Sequence, residues 1–158
     1  MAGWIGTAAA PIMIGAYGEG ALPIVENQPT QVDVFGRWLE FTDLHVRADA
    51  TVFDPECNGY PSGRQHGIRV EGGAANNTFR HLRITDLYIG IRIQLGATRN
   101  RILDSDFVDN NVKSDDFASD SGAAAIAIEG DDNEVAWNRI SGSDACSHFF
   151  LGPRRYSD

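Results

Sequence analysis

Cysteine is scarce in this sequence, which excludes a disulfide scaffold. Cys57 and Cys146 are the only two, too few for a framework. By the repeat spacing described below they stand about three coils apart. That is roughly 14 Å along a stack of strands, beyond the reach of an S–S bond, so two free thiols are expected. Lysine is scarcer still: Lys113 stands alone against twelve arginines. Arginine bias suits planar ion-pair ladders, and codon usage explains it equally well. No stretch is long and apolar enough to cross a membrane as a helix. The N-terminus has no basic region followed by an uninterrupted apolar run, so no signal peptide is expected. The chain is then either cytosolic or a trimmed form of an exported protein. No window repeats apolar residues at i, i+3, i+4 and i+7, which argues against long amphipathic helices. Positive charge is also short, and the net charge is -9. Nucleic acid or an anionic membrane surface is therefore not an expected partner. An acidic polysaccharide would need a divalent cation or a local arginine patch to overcome the field.

What the chain has instead is punctuation and repetition. Seventeen glycines and six prolines interrupt a sequence that is 42% hydrophobic, which suits many short strands. Asn77-Thr-Phe-Arg-His-Leu-Arg-Ile84 returns as Asn100-Arg-Ile-Leu-Asp-Ser-Asp-Phe107 and as Asn133-Glu-Val-Ala-Trp-Asn-Arg-Ile140. A short alternating strand precedes each copy: Gly67-Ile-Arg-Val70, Gly90-Ile-Arg-Ile93 and Ala125-Ile-Ala-Ile128. Such recurrence indicates stacked repeats. The spacing is 23 residues from 67 to 90 and from 77 to 100, and longer where a loop intervenes. That period, with two or three four-residue strands per turn, predicts an all-β fold. The expectation is a single-stranded right-handed parallel β-helix, a solenoid of about four to five coils. The leucine-rich-repeat spacing is absent.

One domain is expected over 1–158. N-terminal strands and the first coil fill 1–47, and 48–65 is a protruding loop. Coils occupy 66–147, interrupted by an insertion at 112–122, and 148–158 is a tail outside the repeat. Trp38-Leu-Glu-Phe-Thr-Asp-Leu44 matches His81-Leu-Arg-Ile-Thr-Asp-Leu87 in type and sets the first coil. Because the strand period is two, Ile68 and Val70 point inward and Arg69 outward. Stacking then predicts four buried columns: Ile68/Ile91/Ile126, Val70/Ile93/Ile128, Phe79/Ile102/Val135, and Ile84/Phe107/Ile140 extended by Phe41.

The outward positions carry the candidate chemistry. Glu40, Arg83, Asp106 and Arg139 read as an alternating ladder, either a sugar-binding strip or plain surface ion pairing worth about 0–1 kcal/mol per pair. Asn77, Asn100 and Asn133 read as an asparagine ladder at a turn, since Asn tolerates left-handed backbone. Asp43, Asp86 and Asp109 share one turn position. They either cap turns or share a calcium ion with Asn110, Asn111, Asp115, Asp116 and Asp120, because a hard cation wants six to eight oxygens. Arg69 and Arg92 stack as like charges. They need an anion between them: a carboxylate-bearing sugar, or Glu71 and Glu129 at the strand ends. His66 abuts a strand and is either a turn residue or a substrate contact. The histidines have no metal-ligand spacing, and no nucleophile elbow is present.

The opening Pro11-Ile-Met-Ile-Gly-Ala-Tyr-Gly18, followed by Asn-led coils such as Asn133-Glu-Val-Ala-Trp-Asn-Arg-Ile-Ser-Gly142, resembles the secreted bacterial right-handed β-helix repeat proteins of the pectate-lyase-like superfamily. The resemblance covers about residues 8 to 147. It implies a secreted or cell-surface module that binds or cleaves acidic glycans, with calcium. Elimination on a uronic acid needs a base at the C5 proton and a cation on the carboxylate. The superfamily's lysine or arginine base maps onto Lys113 and Arg92, with Asp115 and Asp116 beside them and Arg69, Arg83 and His66 as sugar contacts. The metal set would be Asp86, Asp109, Asp115 and Asp116. The alternative is a non-catalytic structural or adhesion module, or an inactive fragment that self-associates through exposed β-helix ends. Members usually carry many more coils, so a truncated helix is expected. The polygalacturonase motif set is absent, with Ser114-Asp-Asp116 a partial echo.

Overall fold

A computed structural model describes residues 4–26, 30–48, 66–110 and 123–142, and the backbone of 147–151. The fold is all-β with parallel sheets, and no helix occurs among the described residues. Among the described residues, fifteen strands fall into three five-stranded sheets that the chain visits in rotation. The first sheet contains β1 (Ile12–Gly15), β4 (Leu39–Thr42), β7 (Thr78–Arg80), β10 (Arg101–Leu103) and β13 (Glu134–Ala136). The second contains β2 (Ile24–Val25), β5 (His45–Arg47), β8 (Arg83–Thr85), β11 (Asp106–Val108) and β14 (Arg139–Ser141). The third contains β3 (Thr30–Val34), β6 (His66–Val70), β9 (Ile89–Ile93), β12 (Ala123–Ile128) and β15 (Ser147–Leu151). One pass through the three sheets is here termed a round. β15 pairs in parallel with β12, so the repeat pairing runs past 147 into the segment expected to be a tail outside it.

The register delivers the expected columns, but they are not buried to their ends: Val135 is partly buried and Ile140 is exposed. Val32, Ile68, Ile91 and Ile126 are successive partners across the third sheet, as are Val34, Val70, Ile93 and Ile128. Phe79, Ile102 and Val135 line up in the first sheet, and Ile84, Phe107 and Ile140 in the second. Ile68, Ile91, Ile126, Phe79, Ile102, Ile84 and Phe107 are fully buried. Phe41 is displaced from its expected column. It pairs with Phe79 in the first sheet, the two rings stacked 5.2 Å apart at 15°, while Val46 holds the place above Ile84.

The turns explain how strands so short stay in register. Left-handed residues recur five apart, at Asn76, His81 and Asp86, then at Arg99, Asp104 and Asp109. Asn and Asp are the non-glycine residues that adopt this backbone most readily. The residue after each left-handed position turns inward, and in the later rounds it is polar. Asn77 and Asn100 are fully buried, and neither is itself left-handed; the left-handed residues are Asn76 and Arg99 before them. The backbone N–H of Leu39 donates to Asn77 Oδ1 at 2.9 Å, that of Asn77 to Asn100 Oδ1 at 3.1 Å, and that of Asn100 to Asn133 Oδ1 at 2.9 Å. The side-chain amides run alongside, from Asn77 Nδ2 to Asn100 Oδ1 at 3.0 Å and from Asn100 Nδ2 to Asn133 Oδ1 at 3.1 Å. A second ladder joins Leu82 N–H to Ser105 Oγ and Ser105 N–H to Asn138 Oδ1. A third joins Leu87 N–H to Asn110 Oδ1.

Third-sheet strands also pack closely on one another. A Cβ on Gly67 would come within 2.4 Å of Gly90 O, and one on Gly90 within 2.5 Å of Ala125 O. Glycine at both places lets successive rounds approach closely.

Asn100 sits in the middle of its ladder, so Asn100→Ala leaves the buried Asn77 N–H without an acceptor and opens space beside it. An unsatisfied buried polar group costs about 1–3 kcal/mol. The expected outcome is a loss of about 3 kcal/mol in denaturant unfolding, with Asn100→Asp no less damaging, because its second carboxylate oxygen would replace the donor to Asn133 Oδ1 and bury an unpaired charge. A loss below about 0.5 kcal/mol for the alanine variant would contradict the ladder's importance.

Candidate functional site

Four of the rounds change sheet, between the first and second, through two residues: Asp43–Leu44, His81–Leu82, Asp104–Ser105 and Trp137–Asn138. The chain lengthens most between the second and third sheets. There 18 residues separate Arg47 from His66 and 14 separate Val108 from Ala123. Residues at that corner are the first candidates for function, because insertions on a rigid repeat are where sites are built.

Two stacked features mark the corner. Asp86 and Asp109 follow Thr85 and Val108, which are partners, and both are left-handed. Asp43, expected in the same column, follows Thr42, the partner of Arg80, and so stacks with His81 and Asp104 instead. Its Oδ1 is 3.9 Å from His81 Nδ1. Backbone conformation therefore accounts for these aspartates one by one. Among the described residues no group of three His, Cys, Asp or Glu could hold a metal. Asn111, Lys113, Asp115, Asp116, Asp120, Cys57 and Cys146 lie outside the described residues.

The second feature is apolar. Tyr88, Ile89, Ala123, Ala124 and Ala127 form a buried cluster separate from the main core. His66, itself buried, meets Tyr88 edge-on with ring centroids 6.0 Å apart.

The outward face of the third sheet carries Arg69 and Arg92 as direct partners. Like charges at that separation repel, so each must be compensated. Arg69 Nε reaches Asp33 at 2.9 Å and Glu71 at 2.6 Å, and Arg92 Nη2 reaches Glu129 at 2.7 Å. The chain itself supplies the anions. Glu71 and Glu129 each follow the last residue of a strand, a recurrence readable from the sequence; Asp33 becomes visible only through the register. Arg92 Nε remains buried with no acceptor among the described residues.

Arg83 lies on the second sheet, away from these arginines. Its ladder reads His45, Arg83, Asp106, Arg139. Glu40, expected at its head, belongs to the first sheet, where it is the partner of Thr78 and forms an ion pair with Arg80. Farther along the first sheet Arg101 pairs with Glu134 at 2.7 Å. His45 Nε2 lies 3.1 Å from Thr85 Oγ1. Burial, with Arg83 and Arg47 beside it, lowers the His45 pKa below 6.5, against the opposing pull of Asp86 and Glu26. No protein-family model, curated protein or solved structure matches the chain.

His45 yields a pH prediction. Above its ordinary pKa of 6.5 the ring is neutral in both folded and unfolded chains. Below that, the unfolded chain binds the proton and the folded one resists, so stability falls as pH drops from 6.5 toward the lowered folded value. Equilibrium unfolding as a function of pH should show this loss, and the difference between wild type and His45→Gln isolates it from the other histidines. Identical pH profiles for the two proteins would contradict the assignment.

Proposed function

We propose that the chain winds as a right-handed parallel β-helix and serves as a non-catalytic, carbohydrate-associated module that presents the corner insertions on a rigid scaffold. The winding is supported by three parallel sheets entered in strict rotation, with every sheet partner three strands away. Right-handedness follows from the usual chirality of parallel crossovers. The resemblance to pectate-lyase-like helices supplies the carbohydrate class.

One observation carries the non-catalytic reading. Arg69 and Arg92, the residues best placed to neutralise a uronate carboxylate, are already held by Asp33, Glu71 and Glu129. Using them for elimination would require breaking those pairs first. A second reading keeps acidic glycans as ligands or substrates. It is favoured by the buried, unaccepted Nε of Arg92, since a buried donor gains from an added acceptor. In that reading Lys113 acts as base and calcium binds near Asp86 and Asp109.

Incubation with polygalacturonate and alginate, with and without calcium, separates the two. The expected result is retention of glycan on an array and no ultraviolet-absorbing unsaturated product. Product formation that disappears in Lys113→Ala would establish the lyase reading instead. Calcium or chelator is expected to leave the melting temperature unchanged.

A further inference from the structure

The glycine-rich turn between β1 and β2 is where the first round breaks the two-residue rule. We propose that the cleft beneath this turn binds a neutral sugar residue of a glycan chain, an inference that rests on the carbohydrate-associated reading above. The cleft has a volume of about 400 Å³ and is lined by Tyr17, Glu19, Leu22, Pro23 and Asp43 among others. Clefts of this size accept small ligands.

The turn is held at both feet. Gly15 is the partner of Thr42, so close that a Cβ there would collide with the Thr42 carbonyl oxygen. At the other end Pro23 O accepts the His45 N–H at 2.9 Å. Between the feet, Gly18 and Gly20 have positive φ, and a Cβ on either would meet nothing within 4 Å. Glycine is needed there for the path of the chain, not for room. The cleft is therefore preformed, which lowers the cost of ordering a ligand.

Its lining has the two chemistries a sugar ring needs. Tyr17 is fully exposed, an aromatic face that packs on none of the described residues and can cover the C–H face of a pyranose. Carboxylates accept hydrogen bonds from hydroxyl groups. Asp43 Oδ2 already accepts the Thr42 hydroxyl at 2.7 Å, its side chain is about half exposed at 47%, and lone pairs remain for a ligand. Glu19 offers a second acceptor. Among the described residues no arginine or lysine lines the cleft. A uronate would therefore face two carboxylates with no counter-charge, under a net charge of -9, so the neutral sugar is preferred.

The test is titration of the whole chain with gluco-, xylo-, manno- and galacto-oligosaccharides, with oligogalacturonate and with a glucosamine oligomer, read by calorimetry. At least one neutral oligosaccharide should bind, and Tyr17→Ala should weaken it about tenfold with no change in melting temperature. Asp43→Asn keeps a residue that tolerates left-handed backbone and should weaken binding by about threefold or more. Uronate or amine binding at least as tight as neutral binding and sensitive to Tyr17→Ala would overturn the sugar class. Glycan binding indifferent to Tyr17→Ala would overturn the site while leaving the module reading in place. Absence of binding to any glycan would overturn both.

Discussion

The fold depends on one recurrent hydrogen bond: the side chain just past a left-handed corner accepts a backbone N–H from the preceding round. Parallel strands of three residues have few ladder bonds of their own, and the chain must change direction between them. Each change brings backbone donors toward the interior, where an unpaired N–H is costly. Asn77, Asn100, Ser105 and Asn110 accept those donors from inside. The apolar columns then stack on a frame whose spacing the polar ladders hold. Hydrophobic burial supplies the larger energy, but apolar contact is non-directional and would tolerate slipped rounds. The ladders, being directional, do not.

Much of this was legible in the sequence, because each round carries the same inward residues at the same distances. The columns through Ile68, Val70, Phe79 and Ile84 could be drawn from the spacing alone. Phe41, Glu40 and Asp43 could not, and all three slipped for one reason. A round contains two successive five-residue units of the same form: a left-handed residue, an inward residue, an outward one, an inward one, and a last residue before the next corner. Trp38–Leu44 matches the unit beginning at His81 by residue type and the one beginning at Asn76 by structure. Leu39 and Leu82 look alike, while the true counterpart of Leu39 is the buried Asn77. The polar residue that would have marked the register is replaced by leucine in the early round.

The outward faces follow a different rule. Charges there are arranged by register as alternating neighbours, as in Arg83, Asp106 and Arg139, or are matched from the strand ends, as Glu129 matches Arg92. Such exposed pairs contribute little stability. Their effect is to avoid the repulsion that stacking identical rounds would otherwise impose, and this explains why Arg69 beside Arg92 coexists with carboxylates one step away. A sequence reading of the stacked arginines leaves a sugar carboxylate and the strand-end glutamates both open. The structure pairs the arginines with Asp33, Glu71 and Glu129.

The same logic bears on the acidic composition. Asp43, Asp86, Asp104, Asp109 and Asp132 all occupy left-handed corners, where aspartate is favoured for its backbone conformation and not for its charge. Part of the chain's negative charge is thus a by-product of turning so often. It reports on the fold and says little about a ligand. Features that the repeat requires are poor guides to function in a repeat protein, however conspicuous they are. The informative places are those where the repeat is broken without structural need: the second-to-third-sheet corner, and the turn that displays Tyr17 to solvent. A fully exposed tyrosine on a pinned, preformed turn contributes nothing to the core, and its explanation has to be sought in what it meets outside the chain.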